Sequence, residues 1–378
     1  MDTAEFIPPD VARAVIHLEN LKHNLSLIRE HVGPGVRICM PVKANAYGHG
    51  LVPVARAAEA LGVEALSVAF LSEAAELRRG GIRLPILLMS PPVAEEIPGT
   101  VALDVEPFAG SREVVEALEQ EARRQNRPAG VHLKVDTGMT RNGCSPGEAA
   151  ELGGFIQNSP FLRLAGLCTH FAGSDMEDTA YFRRQADRFL RVRQDLESRG
   201  IRPGLVHAAN SGAVVAHREV HFDMVRPGIL VYGYYPSREQ QRTLPVRPLM
   251  SLETRVVGLR KSGAGTPVSY GMTHVLEKES WIATLRIGYG DGLRRNLSGR
   301  IRTVIRGRSY PLVGRICMDH VMADLGPETE VKTGDQAVIF GPGEGCPTAE
   351  DLADLLGTIS YEILTGISPR VGRQYTRL

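Results

Sequence analysis

The sequence predicts an α/β fold in which an N-terminal (β/α)8 barrel of the TIM type is followed by a mainly-β C-terminal domain. Eight short β-rich runs alternate with helix-like segments between about residues 15 and 235. Strict βα alternation indicates a parallel sheet, and eight units in about 220 residues match a closed barrel. An open doubly wound sheet is the alternative. It would more often carry a GxGxxG motif after its first strand, and none is found there.

The elements of the barrel can be placed from runs of β-branched and apolar residues. The strands are expected at residues 36–42, 65–70, 85–89, 101–105, 131–135, 164–169, 205–208 and 224–231. Helices are expected at residues 21–32, 52–61, 72–79, 112–125, 148–157 and 179–198. Ser72 followed by Glu73 is typical of a helix start, and Gly80-Gly81 is typical of a helix stop.

The pattern of predicted elements changes after about residue 240: helical segments become scarce, and Gly and Pro turns separate short β-rich runs. Strands are expected at residues 252–259, 280–287, 301–305, 310–316, 321–325 and 336–340, and short helices at 351–356 and 359–365. Residues 242–248 indicate a linker. We therefore expect a barrel domain over residues 12–240 and a mainly-β domain over 241–378. Residues 1–11 are assigned to neither domain and could pack with the second.

Composition excludes several classes of function. The 378 residues carry a formal charge of +1, from 44 basic and 43 acidic side chains, which favours neither nucleic acid nor an anionic membrane as a partner. No apolar run approaches the ~20 residues of a membrane-spanning helix, and we expect no signal peptide. The five cysteines show no CxxC spacing, so we expect no disulfide framework, no bound metal and a cytoplasmic location.

The most informative segment is residues 41–50, PVKANAYGHG. Lys43 ends an apolar run, where partial burial disfavours its charged form and makes the amine a nucleophile able to form a Schiff base. For an isolated lysine, a solvated strand end before a Gly-rich turn is the better interpretation. The other strand ends reverse that preference.

Polar residues follow most of the predicted barrel strands at the end where this fold carries its chemistry. They are Lys43 after strand 1, Lys134 and Arg141 with strand 5, His170 with strand 6, His207, Asn210 and Ser211 with strand 7, and Arg226 and Gly228 with strand 8. Each alone has a structural alternative, such as a core histidine, a loop ion pair or a helix cap. Their joint placement predicts an active site with an anion near strands 7 and 8.

These motifs resemble those of the bacterial alanine racemases, fold-type III enzymes that use pyridoxal 5'-phosphate. The resemblance covers nearly the whole chain and is carried by residues 42–50, 134–139, 210–211, 225–229, 268–271, 287–292 and 314–319. It implies an isomerase that interconverts L-alanine and D-alanine and supplies D-alanine for peptidoglycan. It also implies a head-to-tail homodimer with shared active sites.

The resemblance further implies a role for individual residues. Lys43 would carry the cofactor and serve as one base, and Tyr270 of the partner subunit would serve as the second base. The cofactor would be held by Lys43, Tyr47, His170, Asn210, Ser211, Arg226, Gly228, Ile229 and Tyr361. Arg141 and Met318 would contact the substrate, Lys134 would be carbamylated, and His207, Tyr289, Cys317 and Asp319 would support the site. Arg226 would face the pyridine nitrogen of the cofactor.

Three other functions remain open at this point. A serine or broad-specificity racemase would use the same residues. Tyr270, Met318 and Tyr361 would narrow the pocket, but a small pocket discriminates against one extra group by only about 1–3 kcal/mol. A decarboxylase of the same fold type would be expected to carry a Gly-rich phosphate motif and a catalytic cysteine, a context that Cys317 lacks. A non-catalytic pyridoxal-phosphate carrier would be expected to lack the β domain.

Overall fold

The computed structural model describes residues 11–378, and the chain forms two compact units. The first unit comprises residues 21–246, and the second comprises residues 11–20 together with residues 247–378. Residues 1–10, which the sequence left free to pack with the second domain, lie outside the described residues.

The secondary structure consists of short strands joined by helices in the first half and by turns in the second. The strands are β1 Arg13–Ile16, β2 Arg37–Pro41, β3 Ala65–Val68, β4 Ile86–Leu88, β5 Val105–Ala109, β6 Ala129–Lys134, β7 Leu162–Cys168, β8 Leu205–His207, β9 Met224–Val225, β10 Met250–Ser262, β11 Pro267–Val268, β12 His274–Val275, β13 Ser280–Leu285, β14 Arg302–Ile305, β15 Arg308–Val313, β16 Val321–Gly326, β17 Gln336–Phe340 and β18 Gly372–Tyr375. The helices are α1 Leu18–Val32, α2 Leu51–Ala60, α3 Leu71–Arg79, α4 Ile97–Ala102, α5 Arg112–Arg124, α6 Ala149–Asn158, α7 Ala180–Ser198, α8 Ser211–Ala216, α9 Ala349–Leu356 and α10 Ser360–Thr365.

Strands β2 to β9 form a closed parallel barrel, which confirms the predicted fold class. The barrel closes where β9 pairs with β2, with Met224 opposite Arg37 and Val225 opposite Ile38. Buried side chains on the strands and on the inner faces of the helices form its core. In α5, for example, Val115 and Leu118 are buried, and the Ser111 hydroxyl caps the helix by accepting the backbone N–H of Val114 at 3.4 Å.

The fourth predicted strand was placed wrongly. The sequence favours a strand at residues 101–105, but Val101 lies in α4 and the strand begins only at Val105. A short apolar run fits a buried helix turn as well as a strand, so periodicity alone cannot separate the two. Asp104, with φ of 54°, turns the chain between them. The last predicted strand, 224–231, is also shorter, because Pro227 has no N–H for a ladder and β9 ends at Val225.

The second unit contains an eight-stranded sheet in the order β13-β16-β15-β14-β17-β10-β1-β18. Its neighbours are antiparallel, apart from β1 and β18, which run parallel. The expected boundary at residue 12 assigns β1 to the barrel, whereas its pairing places it between β10 and β18. An ion pair of 2.9 Å between Arg13 and Glu253 joins β1 to β10. The partners of β1 lie more than 200 residues later in the chain, which local sequence patterns cannot reveal.

None of the helices from residue 11 onward has the length and apolar character needed to span a membrane. Within the same range, no group of three or more His, Cys, Asp or Glu side chains is arranged to hold a metal ion.

Candidate active site

Lys43 stands at the head of a left-handed backbone turn just after β2. The four residues that follow it, Ala44, Asn45, Ala46 and Tyr47, have φ angles of 53°, 56°, 52° and 52°. Each L-residue in this region costs roughly 1–2 kcal/mol, because its Cβ crowds the following carbonyl oxygen. A run of four such residues without a glycine persists only where surrounding contacts hold it, and such strain is concentrated at functional sites.

Glu73 supplies one of those contacts from the first turn of α3. Its Oε1 accepts the backbone N–H of Ala44 at 2.6 Å, and its Oε2 accepts those of Ala69 and Phe70 at 2.8 and 3.1 Å. A single carboxylate therefore ties the turn after β2 to the loop after β3. From the sequence, Glu73 was predicted only to mark a helix start, so its role in joining these two loops was missed.

The amine of Lys43 is shifted towards its neutral form. Burial lowers its pKa below the usual range, and the positive charges of Arg141 and Arg226 lower it further. Glu73 opposes this shift with its negative charge. A lysine with a lowered pKa has more neutral amine at neutral pH and is therefore a better nucleophile.

Tyr47, Ser211 and Gly228 form a group at the ends of β2, β8 and β9. The Tyr47 ring stacks on Tyr232 with ring centroids 4.7 Å apart. A Cβ added at Gly228 would lie 2.7 Å from the Tyr47 hydroxyl oxygen, so any larger residue there would displace it. The Ser211 hydroxyl accepts the backbone N–H of Leu230 at 3.3 Å. Ile229, next to Gly228, is buried.

Asn210 caps α8 and is itself held on both sides. Its Oδ1 accepts the N–H of Ala213 at 3.1 Å and the Ser174 hydroxyl at 2.7 Å, and its Nδ2 donates to the Phe171 carbonyl at 3.1 Å. These bonds engage both ends of its amide. Asn210 therefore fixes the start of the helix that carries Ser211.

Arg226 is 2% exposed and lies among neutral acceptors. Its Nη1 donates to His207 Nδ1 at 2.6 Å, and its Nη2 donates to the carbonyls of Thr169 and Ala208 at 2.8 and 3.0 Å and to His170 Nδ1 at 3.5 Å. Burial and the Arg226 charge hold the pKa of both histidines well below its ordinary value. Its Nε–H is buried and has no acceptor in the described part of the chain.

Lys134 and Arg141 belong to the end of β6 and the loop after it. Lys134 is 4% exposed, and burial lowers its pKa to about 8. Its amine donates to the Val135 carbonyl at 3.3 Å. The Asp136 carboxylate accepts three successive backbone N–H groups, from Gly138 to Thr140, at 2.9–3.1 Å. It therefore shapes the loop that presents the exposed Arg141.

The remaining predicted site residues lie in the second unit. Tyr270 is 72% exposed on a short 3-10 turn, Tyr270–Met272. The Ser269 hydroxyl, next to it, donates to the Arg315 carbonyl at 2.6 Å and lies 3.4 Å from Cys317 Sγ. The Tyr289 N–H donates to the Cys317 carbonyl at 2.9 Å. Loops of the β domain thus bring Tyr270, Tyr289 and Cys317 together.

Three further predicted residues complete the second set. Met318, beside Cys317, is 53% exposed. Asp319 forms an ion pair of 2.8 Å with Arg370. Tyr361 lies on α10, where its carbonyl accepts the Thr365 hydroxyl at 2.7 Å. The predicted residues therefore fall into a barrel set and a β-domain set, one in each unit.

The chemistry of the barrel set fits one kind of cofactor. A lysine with a lowered pKa suits an aldehyde, and the close approach of Tyr47 and Gly228 near the start of α8 suits a phosphate. The unpartnered Nε–H of Arg226 suits a ring atom that accepts a hydrogen bond. Pyridoxal 5'-phosphate carries all three groups. Fold and site together define a pyridoxal-phosphate enzyme built on a barrel.

Comparison with known proteins is consistent with this class. The family model for the alanine racemase N-terminal domain matches residues 16–236, and the model for the C-terminal domain matches residues 249–375. The alanine racemases of Treponema denticola and Treponema pallidum are 46% and 43% identical to the chain, covering 96% and 97% of it and 97% and 99% of their own lengths. The chain belongs to the alanine racemase family.

Solved structures agree with this assignment. An alanine racemase from Clostridium difficile superimposes with a TM-score of 0.93 at 34% identity, covering 98% of this chain and 97% of its own. The Bacillus anthracis enzyme with bound L-Ala-P gives 0.90 at 36% identity, with 98% and 96% covered. The resemblance noted from the sequence motifs is confirmed. The chain is a pyridoxal 5'-phosphate-dependent isomerase that interconverts the enantiomers of alanine and supplies D-alanine for peptidoglycan.

Proposed function

We propose that this chain racemises alanine with two bases, Lys43 of one subunit and Tyr270 of its partner in a head-to-tail homodimer. Racemisation removes a proton from one face of the α-carbon and returns one to the other face, so two groups on opposite sides meet the need. The observation that supports this proposal is the difference in environment between the two residues. Lys43 is shifted towards its neutral form inside the barrel unit, whereas Tyr270 stands 72% exposed on a β-domain turn.

The exposed surface around Tyr270 supports a second copy as the partner. Met272 and Met318, which are 67% and 53% exposed, lie in the same loops as Tyr270 and the Cys317 segment. Exposed large apolar side chains that cluster in this way mark interaction surfaces. In a head-to-tail dimer this surface would cover the barrel face of the other subunit and take Tyr270 out of water.

The barrel residues divide the work of holding the cofactor, which when bound withdraws electrons from the substrate α-carbon and so acidifies its proton. Tyr47, Ser211, Gly228 and Ile229 of the barrel, together with Tyr361 of the β domain, would bind the phosphate. Asn210 would hold the helix start, and His170 would lie against the ring. The Arg226 Nε–H would donate to the ring nitrogen. Because a guanidinium only donates, it would leave that nitrogen without a proton and would restrict the electron withdrawal to what simple proton return requires.

The substrate is positioned by charge and by pocket size. Arg141 binds the alanine carboxylate, and Met318 closes the space around the methyl group. His207 supports Arg226 by accepting its Nη1–H, Tyr289 supports the Cys317 segment next to Met318 through its N–H, and Asp319 pairs with Arg370. Rejection of one added hydroxyl in a small pocket is worth only about 1–3 kcal/mol, so slow turnover of serine is expected. Steady-state rates with L-alanine and L-serine measure this ratio, and equal values would favour a broad-specificity racemase.

We also propose that Lys134 is carbamylated. Its pKa of about 8 leaves part of the amine neutral at neutral pH, and this neutral form adds to carbon dioxide, forming an N–C bond and releasing one proton. The product is an anion near Arg141 and Arg226, both of which already act on the Lys134 charge. It would replace a buried ammonium whose one hydrogen bond to residues 11–378 is the 3.3 Å bond to the Val135 carbonyl. A carbamate signal in NMR spectra after incubation with 13C-bicarbonate, absent in Lys134→Met, tests this; equal spectra would contradict it.

We place the enzyme in the cytoplasm. All five cysteines, which lie within the described residues, are free thiols, and Cys39, Cys144 and Cys168 are buried. Free thiols are typical of reducing compartments. Cell fractionation with a periplasmic marker tests this location, and recovery of the enzyme with that marker would exclude it.

The two-base proposal is tested by exchange of the α-proton in deuterated water. Lys43→Ala should lose exchange from both enantiomers, because it also loses the cofactor linkage. Tyr270→Phe should lose exchange from L-alanine but keep it from D-alanine, whose proton Lys43 removes. Unchanged exchange in both variants would remove the two-base mechanism.

Subunit mixing tests the shared site. In a dimer that shares its sites, Lys43→Ala and Tyr270→Phe subunits together should recover about a quarter of wild-type activity, because half of the dimers are mixed and each holds one complete site. Mixing each variant with itself is the control. No recovery, with exchange of subunits shown by mass spectrometry, would place both bases in one subunit.

A further inference from the structure

A chain of hydrogen bonds runs through the barrel from Arg226 to its opposite end. Arg226 Nη1 lies 2.6 Å from His207 Nδ1, and His207 Nε2 lies 2.8 Å from His132 Nδ1. His132 Nε2 lies 2.9 Å from Glu106 Oε2, and Glu106 Oε1 pairs with Arg163 at 2.5 Å. Both histidines are buried, whereas Arg163 is exposed.

The two ends of the chain fix the direction of every hydrogen bond. Arg226 can only donate, so His207 Nδ1 must accept and its proton must lie on Nε2. His207 Nε2–H then donates to His132 Nδ1, and His132 Nε2–H donates to the carboxylate of Glu106. Each histidine is therefore neutral and confined to one tautomer. Glu106 remains ionised, because burial, which raises its pKa, is outweighed by the hydrogen bonds from His132 and Arg163 and by the positive charge of Arg163, which lower it.

The chain supplies a distant counter-charge for a buried cation. Within the described residues, all hydrogen-bond acceptors of Arg226 are neutral imidazoles or carbonyls. A buried charge without an ionised partner is costly. Glu106, two imidazoles away, is the carboxylate at the far end of this chain, and hydrogen bonds in series polarise one another.

The barrel interior leaves room for this chain and shields it. A Cβ at Gly166 would clash with His132 Nδ1, and a Cβ at Gly130 would lie 2.7 Å from Glu106 Oε1. The ring of Phe108 packs against both histidines, with centroids 5.8 Å from His132 and 5.6 Å from His207. Glycines on β6 and β7 and an aromatic ring on β5 thus accommodate the two imidazoles in fixed positions.

We propose that Glu106 and His132 are positioning residues for Arg226. They hold the His207 lone pair towards Nη1, which fixes the plane of the guanidinium and so the direction of its unpartnered Nε–H. No proton crosses the chain; it acts through tautomer and polarisation alone. This inference rests on the proposed role of Arg226 as the donor to the cofactor ring nitrogen.

Nitrogen-15 NMR of histidine-labelled holoenzyme reads the chain directly. In the wild type, His207 and His132 should each show a protonated Nε2 and an unprotonated Nδ1. In Glu106→Gln, the amide oxygen can accept from Arg163 while its NH2 faces His132, so that both ends of the chain donate. No single pair of histidine tautomers then satisfies every hydrogen bond, and the single pattern should be lost. Arg163→Gln leaves Glu106 and both histidines in place and is the matched control with an unchanged pattern. Wild-type pattern in Glu106→Gln, or protonated Nδ1 in the wild type, would overturn the proposal.

Reaction specificity gives the second readout. Misplacement of Arg226 should raise the number of pyridoxamine phosphate molecules formed per racemisation about tenfold in Glu106→Gln and in His132→Gln, with Arg163→Gln unchanged. Because both residues act through one chain, the double variant should do no more than either single variant. Additive effects, or no change in folded single variants, would overturn the proposal. Absence of racemase activity in the wild type would instead refute the proposed function, while the NMR pattern would still report on the chain.

Discussion

Glu73→Gln is the sharpest test of how the left-handed turn at Lys43 is held. The carboxylate accepts one N–H on Oε1, from Ala44, and two on Oε2, from Ala69 and Phe70. An amide keeps one oxygen, so its NH2 group must face either the N–H of Ala44 or those of Ala69 and Phe70. One side of the link between the two loops is then lost.

The magnitude follows from these contacts. A hydrogen bond to a charged acceptor contributes about 1.5–3 kcal/mol, and the exposure of Ala44 and Phe70 lets water replace part of it. Glu73→Gln should therefore lower the free energy of unfolding by about 1–2 kcal/mol, and Glu73→Ala, which removes all three bonds, by about 2–4 kcal/mol. The Glu73 charge also raises the pKa of Lys43, so both variants should lower that pKa further.

Two measurements check this prediction. Urea unfolding gives the change in stability, and the pH dependence of pyridoxal phosphate incorporation into apoprotein gives the pKa of the Lys43 amine. Glu76→Gln, an exposed position on the same helix, is the matched control. If Glu73→Gln stays within about 0.5 kcal/mol of Glu76→Gln, the range of an ordinary surface substitution, the carboxylate does not hold the turn.

Three further predictions follow from single contacts. Gly228→Ala should weaken pyridoxal phosphate binding at least tenfold, because the new Cβ would lie 2.7 Å from the Tyr47 hydroxyl; fluorescence titration measures this, and unchanged affinity would contradict it. Thr348→Ala should lower the free energy of unfolding by about 1 kcal/mol, because Thr348 Oγ1 caps α9 by accepting the N–H of Asp351 at 3.1 Å; urea unfolding checks it, and Ser at this position should restore the loss. Stability should fall as pH drops below about 6.5, because unfolded histidines bind protons that buried His170 and His207 exclude. Unfolding curves between pH 5 and 7 measure this slope, which should be smaller in His170→Gln.

Much of the fold could be read from local patterns because a parallel barrel repeats one unit. Most β-rich runs of the first half are followed by a helix-like segment, and six of the eight runs have an observed strand at their centre. The run at residues 101–105 was misplaced because helix and strand explain a short apolar stretch equally well. The pairing of β1 with β10 and β18 was missed because its partners are distant in sequence.

The site residues also divide into those that local sequence patterns could predict and those that they could not. Lys43, His170, Ser211 and Arg226 could be proposed because barrel topology gathers strand ends at one face. The left-handed turn was not foreseeable, since Ala44-Asn45-Ala46-Tyr47 contains no glycine to indicate positive φ. His132 had a detectable signal, because it lies two residues before Lys134 on the same strand and period-two alternation places both on one face.

The two carboxylates that the motifs overlooked, Glu73 and Glu106, have a common physical origin. Lys43, Lys134, Arg141 and Arg226 place positive charge in one region, and their mutual repulsion acts on the pKa of each lysine. Such a site favours the phosphate and carboxylate groups it has to bind, but the empty protein must remain folded without them. Carboxylates close to the amine would neutralise the attraction for those anions. Glu106 avoids this by acting through two neutral imidazoles, whereas Glu73 binds the backbone N–H groups of the strained turn and still acts on the charge of Lys43. Their negative charge stabilises the folded site, while the surface that binds phosphate and carboxylate remains positively charged.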